Sequence, residues 1–232
     1  MNRLVMGLII VVLLAVAVVG GGWIYLNTTS GTGEASQAID APELTPAADS
    51  EAVVFSIVPE QSSVRFIIDE VLRGEPYTVV GTTDQVAGDI AVDTDNPANT
   101  EIGTIRVNVR TLTTDSDQRN RALRSFILKS AEDEFEFAEF QPSAVEGLPE
   151  TVATGETFSF QIMGDLTIAG TTQPVTFDAT ATLSDETTLM GEAVATVMYP
   201  DFNLTIPSVP FVAGVDEDVQ LEIDFVALAN AS

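Results

Sequence analysis

The sequence predicts a mainly β protein: an antiparallel β-barrel with one short helix, preceded by a single N-terminal transmembrane helix and a flexible linker. Three observations lead to this prediction. Apolar and polar residues alternate in most segments after residue 50, one segment has apolar residues at helical spacing, and the chain begins with an uncharged apolar run. We therefore divide the chain into an anchor (1–26), a linker (27–50) and a β-barrel domain (51–232).

Alternation with a period of two is the strongest signal in the domain. It runs through residues 64–69, 86–93, 105–110 and 219–226. Successive side chains of a strand point to opposite faces, so each segment predicts a strand with one apolar and one wet face. Parallel sheets that are buried on both faces have unbroken apolar runs instead. The sheet is therefore predicted to be antiparallel.

The stretch GDLTIAGTTQPVTF, residues 164–177, predicts a long hairpin. Apolar residues of one parity precede it from Phe158 and continue after it to Leu183. Between the strands, the residues from Ala169 to Pro174 have the composition of a turn, with Gly for unusual backbone angles and Pro to end the pairing. Several such strands that close on themselves make a barrel with an apolar interior.

Residues 117–129, DQRNRALRSFILK, break the alternation and predict the one helix, with Asp115, Ser116 or Asp117 as its cap. Six of the nine Lys and Arg residues lie between Arg106 and Lys129. One interpretation is a basic patch that receives an anionic ligand head group, with possible contacts from Arg119, Arg121 and Arg124. The alternative is a solvated helix face that pairs with nearby acidic residues.

Residues 4–26 are uncharged and long enough to cross a bilayer as a helix. Arg3 precedes the run, and Trp23 and Tyr25 lie at its far end, where aromatic rings favour the membrane interface. These features predict a single-pass protein of the cell membrane, with its C-terminal domain on the extracytoplasmic side. The alternative is a cleaved signal peptide and a secreted or periplasmic domain.

Composition excludes several functions. The net charge of −26 argues against nucleic acid as a partner. With no Cys and no His, the chain lacks the Ser-His-Asp triad, the Cys-His pair and a His-liganded metal site. Glu134, Glu136 and Glu139 lie close in sequence, but on a strand Glu134 and Glu136 form one wet face instead of a hydrolase site. We expect no enzymatic activity, no cofactor and no metal.

The order of these elements resembles the YceI-like, polyisoprenoid-binding domain family, whose fold is a lipocalin-like antiparallel barrel. The resemblance covers roughly residues 52–229, and GDLTIAGTTQPVTF is its most specific motif. The other matching stretches are FSIVPEQSSVRFIID, GDIAVD, IRVNVRTLTTDSDQRNRALRS, EFEFAEFQPSAV and DVQLEIDFVA.

The resemblance implies that an isoprenoid or another long-chain lipid binds inside the barrel. The alternative is a structural or adhesion β-domain whose core is filled by its own side chains. A carboxylate hydrolase is a third, remote alternative. The apolar residues predicted to line a ligand cavity are Phe66, Ile68, Val107, Phe160, Ile162, Phe177 and Phe225.

Overall fold

The computed structural model describes residues 30–46 and 51–230 and contains thirteen strands with one short α-helix. The predicted transmembrane run, residues 4–26, lies outside the described residues. No helix among the described residues is long and apolar enough to cross a bilayer. The strands are β1 Val53–Ile57, β2 Ser63–Leu72, β3 Glu75–Thr83, β4 Val86–Ala87, β5 Asp89–Val92, β6 Glu101–Ile102, β7 Ile105–Asn108, β8 Phe137–Glu146, β9 Thr157–Ile168, β10 Thr171–Asp185, β11 Thr188–Met198, β12 Val212–Ala213 and β13 Asp218–Ala229.

All of these strands pair antiparallel in one sheet, which confirms the prediction of a mainly β, antiparallel protein. The order along the sheet is β4-β7-β8-β9-β10-β11-β13-β1-β5-β6, and β2 joins β13 to β3. The sheet is strongly curled, because β4 at one end of this order and β5 near the other are separated only by Gly88. This curled half-barrel is consistent with a lipocalin-like fold.

The hairpin of β9 and β10 follows the predicted strands but has a shorter turn. Ala169 and Gly170 form a two-residue turn, with φ of 48° and 78°, and pairing resumes at Thr171 opposite Ile168. Positive φ at both central residues gives the turn that matches the twist of a hairpin. Pro174 does not end the pairing, because it lies opposite Asp165 at a point that β11 has not yet reached. A strand tolerates Pro at such a locally unpaired edge.

Gly164 is required by the close approach of two strands. It lies in β9 opposite Pro142 of β8 and Val175 of β10. A Cβ atom at this position would clash with the carbonyl oxygen of Gln141 and lie 2.8 Å from the Cα of Pro142. Glycine therefore allows three strands to pack side by side in the wall of the curled sheet.

The predicted helix is shorter than its sequence pattern and changes its winding. The α-helix α1 spans Asp117–Ala122 and is followed by a π-helical turn over Leu123–Ile127. Ser116, one of the three predicted caps, accepts a hydrogen bond from the backbone N–H of Arg119 at 3.4 Å. The wider turn is closed by the N–H of Leu128, which donates to the carbonyl of Leu123. It brings Leu123, Ile127 and Leu128 together on the interior side.

Residues 30–46, within the segment predicted as a flexible linker, contain no helix or strand but lie against the domain. Backbone and side-chain contacts hold them at several points along the surface. The contacts run from Arg124 Nε to Ser30 O (2.9 Å), from Ser36 N and Oγ to Glu136 (2.9 and 2.6 Å), from Arg106 to Asp40 (3.5 Å) and from Leu44 N to Asp89 (3.1 Å).

Candidate functional site: an apolar cavity inside the sheet

The curled sheet surrounds a cavity of about 310 Å³. This volume is at the lower end of the range of about 300–1,000 Å³ that is usual for ligand pockets. Side chains of one parity from several strands, together with the helical segment, form its wall. The lining is apolar apart from Thr100, Tyr199 and four charged residues, Arg65, Glu70, Arg119 and Glu222. Such a space fits an apolar ligand, whose burial is favoured by the hydrophobic effect.

The β9–β10 hairpin shows why the interior stays open. Phe160 and Ile162 of β9 point inward opposite Ala179 and Phe177 of β10. On the next strand, Ala193 lies opposite Ala179 and also lines the cavity. A row with one large ring and two methyl groups leaves space that three large side chains would fill. The small Ala side chains beside Phe160 therefore leave space in the interior of the sheet.

All seven residues predicted to line the interior do line the cavity, while ligand contact stays a prediction for each of them. Alternation within strands was sufficient to select them, because period-two parity decides which face a side chain joins. They are Phe66, Ile68, Val107, Phe160, Ile162, Phe177 and Phe225.

The three arginines of the predicted head-group patch occupy different surroundings. Arg119 lines the cavity, whereas Arg121 and Arg124 do not. Arg124 is buried, and its Nε donates to the carbonyl of Ser30. Burial, and then the charge of Arg121, lower the pKa of Arg124 below its ordinary value. Only Arg119 is therefore positioned to meet a molecule inside the sheet.

Arg119 belongs to a polar network at one end of the cavity. Its Nη2 lies 3.1 Å from Oε1 of Glu70, and its Nη1 lies 2.5 Å from Oδ1 of Asp115. The hydroxyl of Tyr77 donates to the other oxygen of Asp115 at 2.5 Å. This hydrogen bond, more than the nearby arginine, lowers the pKa of Asp115. The carboxylate of Asp115 is consequently held in its ionised form.

Glu70 is a charged residue of the cavity lining that was not among the residues predicted from the sequence. It continues the inward parity of Phe66 and Ile68 along β2, and its side chain is only 8% exposed. If the alternation that starts at Val64 is continued to residue 70, it places this carboxylate on the inner face of the sheet. Its partner Arg119 comes from α1, which is 49 residues away in sequence. Local periodicity carries no information about that pairing.

Arg65 and Glu222 also border the cavity, but they belong to the outer face of the sheet. They are direct cross-strand partners on β2 and β13, and their parity is opposite to that of Phe66 and Leu221. Arg65 lies 2.6 Å from Glu222 and 2.7 Å from Asp224. The hydrogen bond with Glu222 is the main reason that the pKa of Arg65 is raised. These charges therefore form a ladder on the outer face.

The end of the cavity near Glu70 is covered by the chain that follows Tyr199–Phe202, a single 3-10 turn. Leu204, Ile206 and Val215 line the cavity from this segment. The backbone N–H of Asp216 donates to the carbonyl of Asp69, which fixes the segment beside Glu70. Residues 207–211, between Ile206 and Val215, are exposed, and Phe211 is 67% exposed. The polar network and this exposed loop therefore share one end of the cavity.

The interpretation of Glu136 as part of a wet strand face was wrong. Glu136 precedes β8, is 1% exposed, and accepts hydrogen bonds from Ser36 and Asn108. Its Oε2, which accepts from the Ser36 hydroxyl, also lies 3.2 Å from Nη1 of Arg110, which is buried as well. Glu139 pairs separately with Arg106 at 2.7 Å. Each of these two carboxylates is therefore held by an arginine of its own.

Among residues 30–46 and 51–230, no group of three or more His, Cys, Asp or Glu side chains is arranged to hold a metal ion.

A curled antiparallel sheet around an apolar interior defines a lipocalin-like class of protein. Within that class, the family model for the YceI-like domain matches residues 55–227, and the chain belongs to this family. No curated protein matches the chain.

Two solved structures share the fold. The structure of a polyisoprenoid binding domain from Saccharophagus degradans is 14% identical in sequence, with a TM-score of 0.59; the match covers 77% of this chain and 99% of that one. Burkholderia cenocepacia BcnA is 18% identical, with a TM-score of 0.56 and coverage of 73% and 98%. At these identities the likeness shows the fold alone.

Proposed function

We propose that this protein is a membrane-anchored, extracytoplasmic lipid-binding protein that holds a polyisoprenoid or a similar long-chain amphiphile in a barrel interior. The observation that carries the proposal is the apolar cavity of about 310 Å³, lined by the inward faces of the strands. Membership of the YceI-like family and the fold shared with a polyisoprenoid binding domain support the same ligand class. The proposed activity is binding, without a catalysed reaction.

The cavity favours this function over that of a structural β-domain with a self-filled core. Protein interiors are normally packed without voids larger than a water molecule. A void of this size forfeits dispersion contacts along its lining and lowers stability unless something occupies it. Each CH₂ of a bound chain that leaves water contributes about 0.8 kcal/mol, so a prenyl chain gains substantial binding energy there.

The direct test is native mass spectrometry of the full-length chain, released from detergent micelles after purification with its own lipids. We expect a species heavier than the polypeptide, whose extra mass is that of one long-chain lipid. A chain purified without lipid should take up an added isoprenoid alcohol. A bare polypeptide mass together with no uptake would reject lipid binding and favour the self-filled β-domain.

A substitution that fills the cavity should remove the ligand while the fold survives. Ala179 is buried and lines the cavity, so in Ala179→Leu the added carbons enter the space that a lipid would use. We expect a clear drop in bound lipid, with a change in unfolding free energy below about 1 kcal/mol because no atoms are displaced. Lipid retention by native mass spectrometry and urea denaturation measure the two effects.

Ala227→Leu is the matched control. Ala227 is fully buried within a core cluster and does not line the cavity. The same added carbons have no free space there, and overpacking should cost about 1–3 kcal/mol. If Ala179→Leu is as destabilising as Ala227→Leu, the interior around Ala179 is a filled core.

The proposed topology has the N-terminus in the cytoplasm and the domain outside, on the basis of Arg3 and the apolar run of residues 4–26. The chain has no Cys, so single cysteines can report on it without background. A membrane-impermeant maleimide added to intact cells should label Ser208→Cys, which replaces an exposed residue of the domain. Asn2→Cys should react only after permeabilisation. The reverse pattern would contradict the proposed orientation.

A further inference from the structure

We propose that the Glu70–Arg119 pair forms a head-group subsite that selects lipids with an uncharged, hydrogen-bonding head, such as an alcohol or a carbonyl compound, over lipids with a phosphate or diphosphate head. This inference rests on the proposed lipid binding and narrows its ligand class.

Charge balance is the first argument. Arg119 is the only Lys or Arg on the described cavity wall whose charge is not part of the outer-face ladder, and it contacts two carboxylates, Glu70 and Asp115. One cation and two anions give these three groups a net charge of −1. An anionic head placed beside Arg119 would also meet both carboxylates. Repulsion from Glu70, which is only 8% exposed, is screened less by solvent than repulsion from Asp115, which is 57% exposed.

Hydrogen-bonding capacity is the second argument. A guanidinium has five N–H donors, and the contacts with Glu70 and Asp115 use two of those of Arg119. Further donors remain for a carbonyl or hydroxyl oxygen. Glu70 is nearly buried, and only its Oε1 takes part in the bond with Arg119, so its second oxygen can accept from a hydroxyl. The pair therefore matches a neutral head that both donates and accepts.

Position is the third argument. The pair borders the apolar lining beside the exposed segment that includes Phe211, because Asp216 at the end of that segment donates to the carbonyl of Asp69, the neighbour of Glu70. The Arg119 side chain is 20% exposed, whereas that of Glu70 is 8% exposed. A lipid whose chain fills the apolar interior would place its head at this boundary. Since a buried polar group needs a partner, a head without hydrogen-bonding groups would leave the end of the cavity poorly matched.

The test compares two probes that share one prenyl chain, geranylgeraniol and geranylgeranyl diphosphate. Full-length protein in phosphatidylcholine nanodiscs is offered both at equal concentration, with EDTA to keep the diphosphate free of metal. Retained prenyl lipid is quantified by mass spectrometry after subtraction of empty nanodiscs. We expect the wild-type protein to retain about tenfold more alcohol than diphosphate, as electrostatic exclusion of the anion predicts.

Glu70→Gln removes one negative charge with little change in shape, and it should shift the retained ratio at least about fivefold toward the diphosphate. Glu139→Gln is the matched control, because Glu139 forms a similar pair with Arg106 and neither residue lines the cavity. This control should keep the wild-type ratio. All variants are measured in nanodiscs of the same composition, so the different membrane partitioning of the two probes cancels when the ratios of two variants are compared.

Asp115→Asn supplies a second variant should Glu70→Gln fail to fold, since the Asp115 side chain is 57% exposed and its loss is better tolerated. It should shift the ratio in the same direction. Equal retention of both probes by the wild type, or an unchanged ratio in a folded Glu70→Gln or Asp115→Asn variant, would overturn the selectivity. Retention of neither probe by the wild type would instead overturn lipid binding itself.

Discussion

Phe55→Ala is expected to lower the free energy of unfolding by about 3–5 kcal/mol, whereas Phe160→Ala should cost less than about 2 kcal/mol. Phe55 is 2% exposed, belongs to a buried core cluster and does not line the cavity. Its removal leaves a new void among packed neighbours. Phe160 is only partly buried and faces the existing cavity. Its removal enlarges a space that is already there.

Urea denaturation followed by far-UV circular dichroism measures both losses on the same chain. Phe160→Ala should in addition change the bound lipid, either its affinity or its chain length, and native mass spectrometry detects that change. Phe55 does not line the cavity, so Phe55→Ala should leave the bound lipid unchanged. Equal losses of stability in the two variants, with no change in bound lipid, would place Phe160 in a filled core and reject the ligand cavity.

Glu136→Ala is expected to destabilise the protein by about 3–5 kcal/mol, the usual cost of removing one partner from a buried ion pair. The change leaves the buried Arg110 without its buried anion and frees the donors of Ser36 and Asn108. Asp133→Ala is the control. Asp133 is the other carboxylate on Arg110, at 2.8 Å, but its side chain is 89% exposed. An exposed ion pair contributes about 0–1 kcal/mol, so the control should be nearly neutral.

The stabilisation from Glu136 should depend on pH in the acid range. Burial by itself raises the pKa of Glu136, but hydrogen bonds from Ser36, then Asn108, and the charge of Arg110 hold it below its ordinary value. For a carboxyl whose folded pKa is depressed, the stabilisation is complete above the unfolded pKa of about 4.3 and is lost as pH falls through the folded pKa.

A comparison of wild type with Glu136→Gln isolates this group from the other carboxyls. The difference in unfolding free energy should be constant above about pH 5 and should shrink below about pH 4. Urea denaturation at pH 7 and at pH 3.5 gives the two differences. A difference that does not change with pH would mean that Glu136 is not held as a carboxylate by Ser36, Asn108 and Arg110.

Sequence alone predicted the class of the fold and the inner face of the sheet. Alternation is a property of adjacent residues, and a strand converts it directly into two faces. For this reason the seven lining residues, including Phe160 and Phe177, could be named before any contact was known. When the alternation is continued along β2, it also places Glu70 on the inner face, together with Phe66 and Ile68.

The predicted turn and helix show where local patterns stop being sufficient. The composition from Ala169 to Pro174 predicts a turn, but a two-residue turn suffices because Gly170 accepts a positive φ and Pro174 meets no strand on its other side. Helical spacing predicts residues 117–129 as one helix. The structure changes to a π-helical turn at Leu123, and Leu123 and Ile127 of that turn line the cavity; the spacing alone does not predict this change.

Tertiary structure alone decided which charged groups meet. Ser36 and Glu136 are 100 residues apart, Ser30 and Arg124 are 94 apart, and Glu70 and Arg119 are 49 apart. The sequence therefore identified a basic cluster but could not separate Arg119, which faces the cavity, from Arg124, which is held by Ser30. Whether a charge is solvated, buried or paired depends on the groups that the fold brings to it, and no period along the chain encodes those distances.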